Sequence, residues 1–354
     1  MEESKQIRFP HEPVEVSAQF ARSAWFRKDR FGMFVHWGVY AVPGRGEWVH
    51  STAEPTVEDY QPFVDAFNPQ DVDFTAWAKL AKEAGMQYAV FTAKHHDGYA
   101  MFDTAFSDYS SVAGTPGRDF VAEFLEAFRA EGLKVGLYFS LLDWAHPDFP
   151  AKDDPYHPLR NKDQEDPAAQ DFGRYLDFLH GQIREICTNY GKLDILWFDF
   201  SYPGMAGETW KATELMDFVR KLQPDVLIDN RIEGSGPHYG SIVTEQPFPY
   251  AGDFASPEQL IPSEGILNLA GEPIPWEACI TLNNHWGYHH SDDLYKEAKT
   301  VVRKLVEVVS KGGNLLLNVG PDVAFVSFGE DASFTYPLPD PIDTVLEIEP
   351  NPVS

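Results

Sequence analysis

Short apolar runs alternate with amphipathic stretches along most of the chain. Apolar residues spaced three or four apart predict helices at 74–85, 118–132, 171–191, 207–222 and 292–312. Strand-like runs lie at 31–38, 88–98, 134–144, 193–200, 225–231, 276–284 and 313–320. Such alternation predicts a parallel sheet with crossover helices.

An eighth strand is plausible in the segment "GDFASPEQ" at 252–259, and it would close the sheet into a barrel. No GxGxxG or GxxxxGK[ST] motif follows the first strand, so a nucleotide-binding doubly wound sheet is disfavoured. The predicted fold class is therefore α/β, with a (β/α)8 TIM-like barrel as the catalytic domain over residues 1–321. Residues 322–354 are acidic and rich in proline, and we expect them to form a disordered or loosely docked tail.

The net charge, the cysteine count and the lack of a long apolar run limit the kinds of binding partner and the cellular compartments that the sequence suggests. The net charge of −27 argues against nucleic acid and anionic membrane surfaces as partners. Cys187 and Cys279 are too few for a disulfide framework or a four-cysteine zinc site. The sequence as given shows no signal peptide and no membrane-spanning run, which leaves a cytoplasmic protein or the mature form of a secreted or periplasmic one.

Polar and aromatic residues gather where the predicted strands end, which in a parallel barrel is the face that carries the active site. Nearly every strand contributes: these residues are His36 and Trp37, Lys94 to Asp97, Asp143 and Trp144, Trp197 and Asp199, Asp229 to Arg231, Asn283 to Trp286, and Asn318. The recurrence at so many strand ends is hard to attribute to core packing. It predicts a binding or catalytic site.

Asp199 is the most unusual of these residues, since it lies between Phe198 and Phe200 in the apolar run "LDILWFDF". Burying an ionised carboxylate costs several kcal/mol unless it is paired or hydrogen-bonded. The other candidates have plainer alternatives. A lone histidine or tryptophan is often a core residue, Arg231 could pair a structural carboxylate, and His95 with His96 could ligate a metal ion. Adjacent strand residues point to opposite faces, however, so a shared metal ion would need a loop or bulge there.

Five segments then stand out in order between about residue 25 and residue 321: "KDRFGMFVHWGVYAVPGRGEW", "AGMQYAVFTAKHHDGY", "LDILWFDF", "WEACITLNNHWGY" and "KGGNLLLNVGP". They resemble the signature segments of the α-L-fucosidases, glycoside hydrolase family 29. The resemblance implies a (β/α)8-like domain that hydrolyses terminal α-L-fucosyl linkages with retention of configuration, through a nucleophile and a general acid/base. It implies no cofactor and no metal ion.

By this resemblance Asp199 matches the family's nucleophile. The acid/base varies in position among members, and two glutamates compete for the role. Glu258 in "GDFASPE" is preferred, and Glu245 in "SIVTEQPF" is the second choice. The residues that match sugar-binding positions or adjoin them in the motifs are His36, Glu47, Trp48, His95, His96, Tyr138, Trp197, Arg231 and Trp286. Imidazoles can donate to and accept from vicinal hydroxyls, while aromatic faces cover the C–H face of a sugar.

The expected partner is a fucosylated oligosaccharide or glycoconjugate, and a homo-oligomer is left open. Many family members continue into a C-terminal β-sandwich, whereas this chain has an unlike tail, so we expect that domain to be absent or the chain truncated. Two other functions remain: a catalytically impaired, lectin-like fucose-binding protein, and a metal-dependent hydrolase built on His95 and His96. The linkage cleaved, and any competition from transfucosylation, are not predicted.

Overall fold

The computed structural model describes residues 21–53, 56–151, 154–161 and 170–322. Seven strands form one all-parallel sheet in the order β5-β4-β3-β2-β1-β7-β6. They are β1 (Phe31–Val35), β2 (Tyr88–Lys94), β3 (Lys134–Ser140), β4 (Ile195–Asp199), β5 (Leu227–Ile228), β6 (Glu277–Thr281) and β7 (Asn314–Val319).

The helices of these residues mostly connect consecutive strands. They are α1 (Phe26–Asp29), α2 (Val49–Thr52), α3 (Val57–Ala66), α4 (Phe74–Glu83), α5 (Phe120–Ala130), α6 (Phe172–Asn189), α7 (Ala212–Leu222) and α8 (Ala298–Ser310). Short 3-10 turns cover Val39–Ala41, Gly207–Trp210 and Ser241–Val243. Aspartates at positions 73, 119 and 171 cap the first turns of α4, α5 and α6, because each carboxylate accepts a backbone N–H that has no partner within its helix.

The segment 254–258 lies between the two edge strands of the sheet, where an eighth strand was predicted. Parallel bridges pair Phe254 with Asp229 beyond β5 and Glu258 with Cys279 in β6. Backbone hydrogen bonds reinforce the pairing on both edges of the segment. Asp253 N donates to Ile228 O (2.6 Å) on the β5 side, and Gln259 N donates to Cys279 O (2.9 Å) on the β6 side. The curled sheet therefore has the order of a (β/α)8 TIM-like domain, and the predicted fold class is confirmed.

Alternate residues of each strand face opposite sides of the sheet and bury two apolar layers. One set packs in the barrel interior with Phe26, and its members include Phe34, Val90, Tyr138, Trp197, Cys279 and Leu316. The other set packs against the surrounding helices, and its members include Met33, Phe91, Leu137, Leu196 and Phe198. This layering holds the C-terminal strand ends in fixed positions around one opening.

Two helices differ from the predicted ranges for identifiable reasons. The predicted helix 292–312 begins only at Ala298, because the Asp292 carboxylate accepts from the backbone N of Asn284 (2.8 Å), and Lys296 Nζ donates to Thr281 O (2.7 Å). These contacts hold the first residues against the end of β6. The predicted helix 207–222 is interrupted at Lys211, whose φ of 50° separates a 3-10 turn from α7.

The division into a barrel over 1–321 and a tail over 322–354 remains a prediction, since residues 323–354 lie outside the described part of the chain. Among the residues that are described, none of the helices combines the length and apolar character required to cross a membrane.

Candidate active site

Asp199 is the last residue of β4, and its carboxylate lies in the opening of the barrel with three hydrogen-bond donors around it. Oδ2 accepts from the hydroxyl of Tyr138 (2.8 Å), while Oδ1 accepts from Arg231 Nη1 and from Ser235 Oγ (both 3.0 Å). The next residue, Phe200, has a φ of 112°, a strained backbone conformation for a residue with a side chain. These contacts fix both oxygens of a carboxylate whose side chain is only 11% exposed.

Glu258 lies opposite Asp199 and shares the same guanidinium nitrogen. Arg231 Nη1 donates to Glu258 Oε2 at 2.8 Å as well as to Asp199 Oδ1 at 3.0 Å. Because both contacts meet at one nitrogen, the two carboxylate oxygens are no more than about 6 Å apart, which is below the ~6.5–9.5 Å typical of inverting glycosidases. Burial alone would lower the pKa of Arg231, but the charges of Glu258 and Asp199 outweigh it and raise that pKa well above its ordinary value.

Arg231 is itself held in one orientation by the segment that carries Glu258. Its Nε donates to Ser256 Oγ (3.1 Å), and its Nη2 donates to Ser256 O (3.2 Å) and Cys279 Sγ (3.4 Å). Its guanidinium also lies 4.4 Å from the centre of the Trp197 ring. The cation is thus fixed relative to both carboxylates.

Three buried histidines line another wall of the same cavity. His36 Nδ1 lies 2.6 Å from Asn318 Oδ1, and the orientation of that amide is set because its Nδ2 donates to Trp286 O (2.8 Å). His36 Nδ1 must therefore carry a proton, which leaves Nε2 as an acceptor. His95 Nδ1 is buried without a hydrogen-bond partner among the described residues.

Burial keeps these imidazoles neutral. It lowers the pKa of His36 and of His96 to about 3 and that of His95 well below its ordinary value. His95 and His96 follow the end of β2 rather than lying within it, so both face the cavity, and their ring centres are 4.1 Å apart. Neutral rings in this position can hydrogen-bond hydroxyl groups without bringing a charge into the site.

Aromatic rings complete the walls and floor. Trp197 lies at an angle of 26° to Tyr138 with 5.6 Å between ring centres, and Trp48, Phe34, Phe200 and Trp286 also line the cavity. The space that no atom occupies is about 380 Å³, including the opening to solvent. Its walls match one small polar ring that has an apolar face.

Another buried carboxyl, that of Glu277, lies beneath the Trp197 ring that lines the cavity. Glu277 Oε1 accepts from Trp197 Nε1 (3.3 Å), and Oε2 accepts from the hydroxyl of Tyr88, which in turn accepts from Asn314 Nδ2 (3.3 Å). Burial raises the pKa of Glu277 to about 7, although these hydrogen bonds oppose the shift. This network anchors the indole on which Arg231 rests.

Most of the predicted site residues meet in this cavity, namely His36, Trp48, His95, His96, Tyr138, Trp197, Asp199, Arg231, Glu258 and Trp286. Glu47 is buried outside the lining, where its Oε2 accepts from the backbone N of Gly287 (2.9 Å). Glu245 lies in a separate surface groove. Sequence reasoning did not identify Ser235 as a contact of Asp199, because a serine in the glycine-rich segment "EGSGPHYG" carries no distinguishing pattern.

No group of three or more His, Cys, Asp or Glu side chains within the described ranges is arranged to hold a metal ion. What the cavity does contain is a pair of close carboxylates, one fixed cation and three neutral imidazoles around a ring-sized space. That combination can bind a polyhydroxylated ring and perform two-carboxylate chemistry at one of its carbons.

Comparison with known proteins gives a consistent assignment. The family model described as Alpha-L-fucosidase matches residues 3–324. The chain is 30% identical to plasma alpha-L-fucosidase of Rattus norvegicus over 321 residues, which cover 84% of this chain and 64% of that protein. It is 28% identical to alpha-L-fucosidase of Dictyostelium discoideum over 329 residues, which cover 84% and 65%. The chain thus spans somewhat less than two thirds of the length of these curated relatives.

Solved structures agree with the sequence matches. Alpha-L-fucosidase isoenzyme 1 from Paenibacillus thiaminolyticus superposes with a TM-score of 0.82 at 58% identity, over 86% of this chain and 71% of that one. Unliganded alpha-L-fucosidase AlfC from Lactobacillus casei superposes with a TM-score of 0.73 at 31% identity, over 86% and 92%. This chain belongs to the α-L-fucosidase family.

Proposed function

We propose that the protein is a retaining exo-α-L-fucosidase that hydrolyses terminal α-L-fucosyl linkages of oligosaccharides or glycoconjugates. The observation that carries the proposal is the shared contact of Asp199 and Glu258 with Arg231 Nη1, since it brings the two carboxylates closer together than the ~6.5–9.5 Å typical of inverting glycosidases. Structures of AlfC mutants in complex with 4-nitrophenyl-α-L-fucopyranoside and with Fuca(1,6)GlcNAc support the substrate class by similarity.

In the first step Asp199 attacks the anomeric carbon while Glu258 donates a proton to the departing glycosidic oxygen. In the second step Glu258 removes a proton from water, and the water attacks the fucosyl–Asp199 ester from the opposite face. The donors on Asp199, namely Tyr138, Arg231 and Ser235, hold its oxygens in place for the attack.

The remaining cavity residues bind and orient the sugar. We assign the hydroxyls of fucose to the neutral rings of His36, His95 and His96, and its apolar face to the tryptophans that line the cavity. Glu47 acts indirectly in this scheme, by holding the Gly287 backbone next to Trp286.

Azide rescue tests both carboxylates with one aryl substrate, p-nitrophenyl α-L-fucoside. Turnover by the unchanged chain should be lost in Asp199→Gly, and azide should then restore release of nitrophenolate with β-L-fucosyl azide as product, because azide takes the place of the nucleophile. Glu258→Ala with azide should give α-L-fucosyl azide instead, because azide then attacks the fucosyl–enzyme intermediate.

Glu245→Ala is the matched control and should retain the activity of the unchanged chain, since Glu245 lies outside the cavity. Turnover that survives the loss of Asp199 would refute the mechanism. An unchanged chain that binds fucose without hydrolysing the aryl fucoside would refute the enzymatic function and leave a lectin-like one.

A further inference from the structure

A second and larger depression lies on the loop that follows Arg231. This groove, formed by residues between 233 and 248 together with Leu269, contains about 1190 Å³ of empty space including its opening to solvent, against about 380 Å³ for the cavity measured in the same way. Its walls carry the exposed ring of Phe248, the half-buried ring of Tyr239, the exposed side chain of Leu269, and the polar side chains of His238 and Gln246. Aromatic faces next to amide and imidazole groups are the chemistry that binds a saccharide.

The groove is linked to the candidate active site through the backbone and its hydrogen bonds. Gly234 forms part of its wall, and the next residue, Ser235, donates to Asp199 Oδ1 (3.0 Å). On the other side of the loop, Asn230 Nδ2 donates to His238 O (2.9 Å), while Asn230 Oδ1 accepts from Ser256 Oγ (2.9 Å). The wall of the groove and the residues that hold Arg231 therefore belong to one hydrogen-bonded unit.

The groove is also formed by the loops that flank the Glu258 segment along the chain. Its two walls come from the loops immediately before and after the strand-like segment that ends in Glu258, and the backbone N of Leu269 joins them through Val243 O (2.9 Å). Glu258 is the more open of the two carboxylates, with a side chain 31% exposed against 11% for Asp199. A general acid must reach the glycosidic oxygen, so the leaving group lies beside Glu258.

We infer that the 233–248 groove binds the saccharide to which the fucose is attached, with a sugar ring stacked on Phe248 and its hydroxyls bonded to Gln246 and His238. The inference rests on the proposed function and adds to it a binding site for the saccharide part of the substrate. A groove of this volume has space for more than one sugar beyond the fucose, so the gain in kcat/KM over an aryl fucoside grows with the length of the leaving group.

The test compares Phe248→Ala with the unchanged chain on two substrates, p-nitrophenyl α-L-fucoside and the best cleaved member of a panel of α1-2, α1-3, α1-4 and α1-6 fucosyl oligosaccharides. Loss of one stacking contact should lower kcat/KM for the oligosaccharide about three- to tenfold and leave that for the aryl fucoside within about twofold. Gln246→Ala should act in the same direction with a smaller effect.

Phe106→Ala is the matched control, because Phe106 is also an exposed phenylalanine but lines neither the groove nor the cavity. It should leave both substrates unaffected. Three results would overturn the inference while leaving the proposed function intact. Phe248→Ala could lose activity equally on both substrates, it could lose none on either, or the unchanged chain could cleave the aryl fucoside but no oligosaccharide. Failure of the unchanged chain on every substrate would overturn the proposed function and the inference with it.

Discussion

Replacing Asp143 by Asn should cost the fold several kcal/mol, because it removes the ionic partner of a lysine that has no access to water. Lys94 Nζ lies 3.0 Å from Asp143 Oδ2, and the two side chains are 0% and 3% exposed. Burial lowers the pKa of Lys94, and the charge of Asp143 opposes this shift. The charge of Asp97 and the rings of Phe139 and Phe178, whose centres lie 4.8 Å and 5.0 Å from Nζ, compensate only in part.

Breaking one partner of a buried ion pair typically costs about 3–5 kcal/mol, and we expect Asp143→Asn to fall in that range. The amide oxygen can still accept from the backbone N of Ala145 and of His146, but the amide NH₂ then faces Lys94 Nζ, so the change removes both the charge and the hydrogen-bond acceptor of the ammonium group. Unfolding in urea, followed by circular dichroism, measures the loss of free energy of unfolding.

Glu131→Gln is the matched control. It breaks the Lys82–Glu131 pair, which has nearly the same length (3.1 Å) but an exposed lysine, so about 1 kcal/mol or less is expected. A second variant that combines Asp143→Asn with Lys94→Met should recover much of the loss, because no charge is then left buried without a partner. A cost of Asp143→Asn no larger than that of the control would refute this reasoning.

Three further predictions follow from the electrostatics of the site. Burial raises the pKa of Glu277 from 4.5 to about 7, so its contribution to stability is present below pH 4.5 and is lost as the pH rises through 7. The stability of Glu277→Gln relative to the unchanged chain should therefore increase by up to roughly 3 kcal/mol between pH 4.5 and pH 8 in urea unfolding, and a constant difference would contradict this. The rings of His36 and His96, with pKa values of about 3, should stay neutral down to about pH 4 in imidazole ¹⁵N NMR spectra, whereas titration near 6.5 would show that they are solvated. Arg231→Lys should lower kcat/KM for the aryl fucoside roughly a hundredfold, because an ammonium group lacks the Nε and Nη2 contacts to Ser256 that aim the cation at both carboxylates, and activity close to that of the unchanged chain would show that these contacts are dispensable.

The sequence predicted the barrel well because its strands are continuous apolar runs that end in polar residues. The end of β4 at Asp199 and the ring of polar strand ends depend only on local pattern, and the eighth strand-like segment at 252–259 was recognisable although it forms only isolated bridges. The start of α8 was not predictable in the same way. Residues 292–297 carry a helical pattern, but contacts from Asp292 and Lys296 to the end of β6 prevent the helix from beginning there.

The choice between Glu245 and Glu258 shows what the sequence alone leaves open. Both glutamates lie in the interval between Arg231 and β6, and only the folded chain separates them by bringing Glu258 to Arg231 while Glu245 lies in the groove. Ser235 and Glu277 escaped notice because their roles come from contacts across many residues, with Asp199 and with Trp197. Such contacts depend on three-dimensional packing that no spacing along the chain records.

The stereochemistry of the first product formed tests the central claim most directly. The unchanged chain is mixed with p-nitrophenyl α-L-fucoside in D₂O, and the anomeric proton of released fucose is followed by NMR before mutarotation. With Asp199 and Glu258 held within about 6 Å, the account predicts that α-L-fucose appears first and that β-L-fucose accumulates only as the anomers equilibrate. Initial formation of β-L-fucose would mean a single displacement by water, and it would contradict the proposed role of Asp199 as nucleophile.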